Sequence, residues 1–247
     1  MISRRLLLVG GAGLLLPGCD RLTRSDDFRR GLRSAERLTM RTQRLISSRT
    51  ALAREFSAAD ISPVFRPNGN RMPQTDEYRR FAEGGFADWR LRVDGLVRRP
   101  LSLSLDQIAH LPRRTQITRH DCVEGWSAIG QWTGLPLGRL LDLAGLRDEA
   151  RFVVFHCMDR FGSRPYYESI DLIDAFHPQT ILAYGLNGRR LPIQNGAPLR
   201  LRVERQLGYK QAKYIWRIEA VASLAGIWGG RGGFWEDNTD YEWYAGI

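Results

Sequence analysis

Only three cysteines occur in these 247 residues, and one of them, Cys122, stands in the run TRHDCVEGWSAIGQWTG, residues 118–134. His120 lies two residues before it and Trp126 four after. A thiol there is a disulfide half, a nucleophile, a soft metal ligand or a small core residue. The other cysteines are Cys19 and Cys157, and in an oxidising compartment Cys122 and Cys157 would ordinarily pair.

Other chemistries drop out by motif. No G-x-G-x-x-G follows a strand, since Gly11 and Gly13 fall in the leader and the Gly229–Gly233 cluster has the wrong spacing. There is no P-loop, no H-E-x-x-H and no nucleophile elbow. No two cysteines are spaced for haem attachment. His110, His120, His156 and His177 are not paired at zinc-ligand spacing, so a metal held by protein groups alone is not expected. Cys122 alone cannot hold a metal, so further ligands would have to come from a cofactor. A metal-bound thiol is deprotonated by its metal.

The elements that would position these groups follow from local pattern. DWRLRVDGLV alternates as a strand ending in a turn at Asp94-Gly95. SLSLDQIAHLP reads as a short helix capped by Ser104, and GLPLGRLLDLAGL as a helix with Pro136 in its first turn and Gly145 at its end. RFVVFHC is a β-rich run ending on Cys157, and ESIDLIDAF reads as a short helix. From Thr180 onward ILAYGLN, LRLRVE and YIWRIEAV are strands, with Asn187-Gly188 as a tight turn. Strands and short helices without βαβ alternation predict an α+β domain. The tail GIWGGRGGFWEDNTDYEWYAGI should wrap that domain, and is a candidate rim for a site.

Upstream, Ser3-Arg4-Arg5 and the eleven apolar residues Leu6–Leu16 form a leader too short to span a bilayer, similar to a twin-arginine export signal. LPGC, residues 16–19, resembles a lipobox with Cys19 as the lipidated residue; cleavage elsewhere to a soluble periplasmic protein is the alternative. The expected organisation is a signal peptide over 1–18, a helical linker over 19–61 and the main domain over 62–247. Apolar residues from Phe28 to Phe56 recur three, four or seven apart, which predicts a helix from Asp26 to about Asp60. The net charge of +10 is spread along the chain without a block of five like charges, so no nucleic-acid arm is indicated.

Two long stretches, RHDCVEGWSAIGQWTGLPLGRLL and DLIDAFHPQTILAYGLNGRRLPIQNGAPLRLRVERQLGYKQAKYIWRIEAV, resemble the sulfite-oxidase-fold molybdopterin enzymes. The resemblance runs from about Asp88 to Val221. The motifs are most similar to the branch that contains the catalytic subunit of the periplasmic methionine-sulfoxide reductase. It implies the sulfite-oxidase molybdopterin-binding fold without a C-terminal immunoglobulin-like domain, and molybdenum-molybdopterin as cofactor. Cys122 becomes the molybdenum ligand. Asn195 and Arg200 in QNGAPLR, and Gln211, Ala212 and Lys213 in GYKQAKY, become contacts of the pterin and its phosphate. Asn68 in RPNGN, with Asn70 as the alternative, joins them, as does His120. Cys157 stands where relatives carry a threonine and, by the same resemblance, is a further cofactor contact with a weaker hydrogen bond. Taken singly, Arg200 and Lys213 are ordinary surface charges, Asn195-Gly196 an ordinary turn, His120 a packing histidine, and Trp126 and Trp132 core.

The implied activity is oxygen-atom transfer, reduction of a sulfoxide or N-oxide, by an exported enzyme tethered through lipid. Sulfite oxidation is the alternative, for which Arg160, Arg164 and Arg205 could supply charge. A non-catalytic lipoprotein module with a Cys122–Cys157 disulfide is the other. With no haem motif and too few cysteines for an iron–sulfur cluster, the electrons should come from a separate partner, a membrane cytochrome by resemblance.

Overall fold

The computed structural model describes residues 25–239 and 241–247, and the chain divides into two compact units between Ser47 and Ser48. The expected export signal and Cys19 lie outside the described residues. In the first unit, helix α1 (Asp26–Ile46) starts on Ser25, whose side chain accepts from the Phe28 N–H, and carries Arg44 in its last turn. It ends well before Asp60. Ser48 and Thr50 bond to each other and to local backbone, a competitor to helix hydrogen bonds. The chain beyond runs extended to a short 3-10 turn at Ala58–Asp60. That extended stretch belongs to the second unit, where the Phe56 and Ser62 N–H groups bond to the carbonyls of Ile117 and Ile129.

The second unit is built from two five-stranded sheets. The first has strands β1 (Arg90–Gly95), β2 (Leu101–Ser104), β5 (Phe152–Phe161), β6 (Arg164–Asp171) and β10 (Ile215–Val221), in the order β2-β1-β10-β5-β6. Only β1 and β10 run parallel; the other pairs are antiparallel. The second sheet has β3 (Arg114–Cys122), β4 (Trp126–Pro136), β7 (Ile181–Leu186) and β8 (Arg189–Arg190) in that order, with β9 (Arg200–Arg202) also paired to β7. Asn187 and Gly188, both at positive φ, make the predicted β7–β8 turn.

Short helices close the core. After α2 (Asp76–Glu83), α3 (Leu105–His110) is capped by Ser104, and α4 (Leu137–Ala144) ends on Gly145 in the left-handed region, as predicted. Leu137, Leu140, Leu141 and Ala144 put one face of α4 into the core, each leucine worth about 1.5–3 kcal/mol of burial. ESIDLIDAF departs from the predicted helix. Glu168 to Asp171 finish β6, and only α5 (Leu172–Ala175) is helical, capped by Asp171. β6 is buried on both faces, so it shows no alternation in sequence. A last helix, α6 (Phe234–Asn238), lies in the tail.

Candidate active site

Cys122 ends β3 at a tight hairpin, paired with Trp126 across Val123-Glu124-Gly125. The Gly125 N–H donates to the Cys122 carbonyl at 3.0 Å. Along β3 the buried residues are Gln116, Thr118, His120 and Cys122, every second position. A strand that turns its polar side chains inward is building a site rather than a core. Cys122 and Cys157 are both unpaired thiols. Burial pushes the Cys122 thiol up, while the Glu124 N–H pulls the other way.

Behind the thiol lies a network of buried charge. Arg202 donates to both oxygens of Glu204, at 2.9 and 2.5 Å, and to His120 Nδ1 at 3.0 Å. It also donates to Gln211 Oε1 and lies 4.4 Å from the ring centre of Trp132. His120 Nδ1 also lies 3.2 Å from Gln211 Oε1, and its Nε2 is buried and without a partner among the described residues. Burial, then Arg202 and Arg200, hold His120 neutral, well below the usual imidazole range. Trp126 lies 5.4 Å from the His120 ring, and Trp132 is fully buried beneath Arg200 and Arg202.

Arg200 is fully buried on β9. Its Nη1 donates to the Asn195 carbonyl at 2.9 Å and its Nη2 to the Gln211 carbonyl at 3.4 Å, while its Nε has no acceptor among the described residues. Burial, then neighbouring Arg202, pushes it down to about 9. Lys213 donates to the carbonyls of Asn68 at 2.6 Å, Gln194 at 3.0 Å and Asn70. Burial, then Arg200, pushes it down to about 7. Cations that depress one another inside a fold mark a place for an anion. Gly196, at φ 111°, makes the approach possible: a Cβ there would stand 2.9 Å from Lys213 Cβ and 3.2 Å from Arg200 Cβ. Tyr78 of α2 fixes the same loop by donating to the Ala197 carbonyl at 2.7 Å.

A cavity of about 190 Å³ opens over Cys122, lined by Asn68, Asn70, Glu124, Asp159, Tyr166, Gln211 and Lys213 among others. The tail contributes Trp235 and Tyr241 to it, as predicted for a rim. Asn68 keeps a buried Oδ1 without a partner, whereas the Asn70 amide is used by Asp159 Oδ2 at 3.2 Å and the Arg160 carbonyl at 3.1 Å. Asn68 is therefore the asparagine of that loop still able to meet a ligand. Asn195 Nδ2 is buried and unpartnered too, and Ala212 is buried between Gln211 and Lys213. Cys157 is buried in the core at the end of the β5–β10 pairing and is not part of this cavity's wall. Its thiol lies 3.8 Å from the Phe155 carbonyl.

Three groups escape sequence reading. Asp159 is 4% exposed with Oδ1 unpartnered, and burial pushes it up to about 6. Arg202 and Glu204 alternate with Arg200 in LRLRVE, and that alternation of charge in a strand was the available signal. Gly208 is the third: a Cβ there would lie 2.5 Å from His120 Cε1 and Nε2. Gly208→Ala should push the ring off Arg202, lower stability by about 1–3 kcal/mol as overpacking does, and impair ligand retention. Thermal melting of the variant checks this.

Among the described residues no group of three or more His, Cys, Asp or Glu is placed to hold a metal ion. A lone thiol over a cation cluster and unsatisfied donors is the arrangement of a molybdenum-dependent oxidoreductase on the sulfite-oxidase fold, with molybdopterin as the cofactor. The chain belongs to the molybdopterin-binding oxidoreductase family, whose model, the oxidoreductase molybdopterin binding domain, matches residues 80–225. A protein of Azospira oryzae named as a protein-methionine-sulfoxide reductase subunit, YedZ1, is 37% identical over 98% of this chain and 86% of its own. The protein-methionine-sulfoxide reductase catalytic subunit MsrP of Xanthomonas campestris is 39% identical over 56% of this chain and 47% of its own. The chain thus spans about half the length of that catalytic subunit. Among solved structures, the sulfane dehydrogenase SoxCD from Paracoccus pantotrophus matches with a TM-score of 0.50 at 23% identity. It covers 56% of this chain and 39% of that one, a likeness of fold. The residues present suit the cofactor. A phosphate answers the surplus cations Arg200 and Lys213, and a pterin offers donors and acceptors to the unpartnered atoms of Asn68, Asn195 and Arg200.

Proposed function

We propose that the protein is an exported, membrane-tethered reductase that removes the oxygen atom of a sulfoxide or N-oxide, with methionine sulfoxide in proteins as the favoured substrate. The observation that carries this reading is the charge of the cavity. Glu124 and Asp159 line it, whereas Arg160, Arg164 and Arg205 do not. Arg160 bonds to the Ser163 carbonyl, Arg164 to Asn238, and Arg205 to the carbonyls of Ser48 and Arg49. With Lys213 taken by the cofactor's phosphate in this reading, an anion such as sulfite would meet two carboxylates there, while a neutral oxide would not be repelled. The rim of Phe161, Trp235 and Tyr241 suits a thioether, since sulfur packs well against aromatic rings.

In this reading Cys122 is the protein's ligand to molybdenum. Asn68, His120, Asn195, Arg200 and the run Gln211, Ala212 and Lys213 hold the pterin and its phosphate, with Cys157 packed behind. When bound, molybdenum-molybdopterin supplies the two-electron redox change. The protein orients the cofactor, keeps water from the buried face and, through Asp159, can hold a proton beside the substrate. Residues 1–18 would direct export, Cys19 would carry lipid and residues up to 47 would link that anchor to the unit over 48–247, a boundary earlier than the expected 62 because Phe56, within residues 48–61, bonds to β3. Tethering raises the effective concentration of a membrane partner. Likeness to proteins named as reductase subunits supports a separate electron-donating partner, which in this reading is a membrane cytochrome. The test is turnover of the molybdenum-loaded protein with a reduced dye. Methionine sulfoxide should be consumed, and sulfite should not be oxidised when the dye is supplied oxidised. Sulfite oxidation faster than sulfoxide reduction would overturn the reading.

A further inference from the structure

Behind the cavity wall, three ionisable side chains meet out of reach of water. Glu168 comes from β6, Lys210 from the 3-10 turn Gly208–Lys210 and Glu236 from α6, and none is more than 1% exposed. Lys210 Nζ stands 2.7 Å from Glu168 Oε2 and 2.5 Å from Glu236 Oε1. One ammonium faces two carboxylates, so the cluster carries one negative charge too many. A buried uncompensated carboxylate takes up a proton instead.

Geometry shows where that proton belongs. Glu236 Oε2 is buried and without a partner among the described residues, and Glu168 Oε2 is buried with only Lys210 Nζ beside it, out of hydrogen-bond alignment. Both crowd the same face of Gly233, where a Cβ would collide with each. A proton between these oxygens turns a repulsive contact into a hydrogen bond. Burial, then the Glu236 carboxylate, pushes Glu168 well above the usual carboxylate range, and Lys210 offsets this only in part. The other titratable groups near Glu168 and its neighbour Tyr166 are Asp159 and Cys157 from β5, and Tyr167 with Asp237, bonded to each other. All are acids, so none replaces the proton.

Tyr166 connects the cluster to the site. It shares a face of β6 with Glu168, two residues on. Its hydroxyl lies 3.2 Å from Glu168 Oε1, donates to the Tyr209 carbonyl at 2.9 Å, and belongs to a side chain that lines the Cys122 cavity. We propose that Glu168 and Glu236 share a stored proton beside Lys210, and that Tyr166 passes it to the oxygen leaving the substrate in the Cys122 cavity. This rests on the oxide-reducing function proposed above. Reduction of an oxide consumes two protons and two electrons and releases the oxygen as water; a one-electron carrier supplies the electrons. In the proposed step the Tyr166 O–H bond breaks as the released oxygen gains its proton. Rotation of the protonated Glu168 carboxyl group brings its O–H to the side facing Tyr166, where the O–H bond breaks to restore the phenol, and solvent reprotonates the glutamate pair after turnover. The second proton enters from the cavity mouth. Glu168 and Glu236 are positioning groups acting through Tyr166.

Two measurements test this. Infrared spectra of the resting protein at neutral pH, unlabelled and with carbon-13 glutamate, should show the carbonyl band of a protonated glutamic acid, shifted by the label and absent in Glu168→Gln. The label assigns the band even if that variant does not fold. In the loaded enzyme, Tyr166→Phe should keep its molybdenum and KM but lose about 100-fold in kcat at alkaline pH, regaining much of it as pH falls, because a general acid is worth about that much. No protonated-glutamate band, or a Tyr166→Phe enzyme with an unchanged kcat–pH profile, would overturn the proposal. A wild-type enzyme that loads molybdenum but reduces no oxide defeats the functional reading and the delivery step with it; the stored proton still stands or falls on the band.

Discussion

Cys122→Ser should end turnover and lower molybdenum affinity by more than about 100-fold, since even partners one shell removed from a metal typically cost 10- to 100-fold. The substitution exchanges a thiol that ionises to a thiolate ligand for a hydroxyl that ionises far less readily and is the poorer ligand while neutral. The fold should survive. The thiol sits at the end of a strand beside a three-residue turn, and serine fills nearly the same space. Metal analysis beside circular dichroism and a melting curve separates the two effects. An active, metal-loaded Cys122→Ala protein would sink the assignment.

Arg200→Met and Lys213→Met should each loosen the cofactor by about 10- to 100-fold, the value of one charge-assisted hydrogen bond at 1.5–3 kcal/mol. The empty protein should respond in the opposite sense to charge. Lys213 titrates at about 7 in the fold against 10.5 ordinarily, so across that window the unfolded chain holds more protons. Stability of the cofactor-free protein should therefore rise as pH climbs from about 7 toward 10.5. Lys213→Met should flatten that rise. A bound phosphate should flatten it too, because a neighbouring anion restores the ammonium. Melting temperatures of the empty and loaded forms across this range provide the check, and Lys213→Met protein that purifies with full cofactor would contradict the anchor.

What could be seen in the sequence follows from how local each cause is. Ser104 capping α3, Gly145 ending α4 and the Asn187-Gly188 turn are settled within a few residues, and each was legible. The β3–β4 hairpin was not assigned an element. Its buried face is polar, Gln116, Thr118 and His120, so hydrophobic alternation is absent from the very strand that carries Cys122. β6 hid for the opposite reason, being covered on both faces. Helix α1 was drawn too long because apolar spacing continues past Ser47 while serine and threonine end the helix. Within the site, Cys122, Arg200 and Lys213 could be named only through the joint motif. The depressed titration of Arg200 and Lys213 arises from burial and from cations distant in sequence. Lys210 with Glu168 and Glu236 joins three segments that no spacing rule connects.

The Cys122 sulfur should be a ligand of a molybdenum held by this domain. Molybdenum X-ray absorption on protein purified from its export route tests it most directly, with Cys122→Ser loaded under matched conditions. The account predicts about one molybdenum per chain, as a single-cofactor oxidoreductase requires, and one sulfur neighbour fewer around the metal in the variant. Equal sulfur coordination in wild type and variant, or wild-type protein that folds without taking up molybdenum when the cofactor is available, would contradict it.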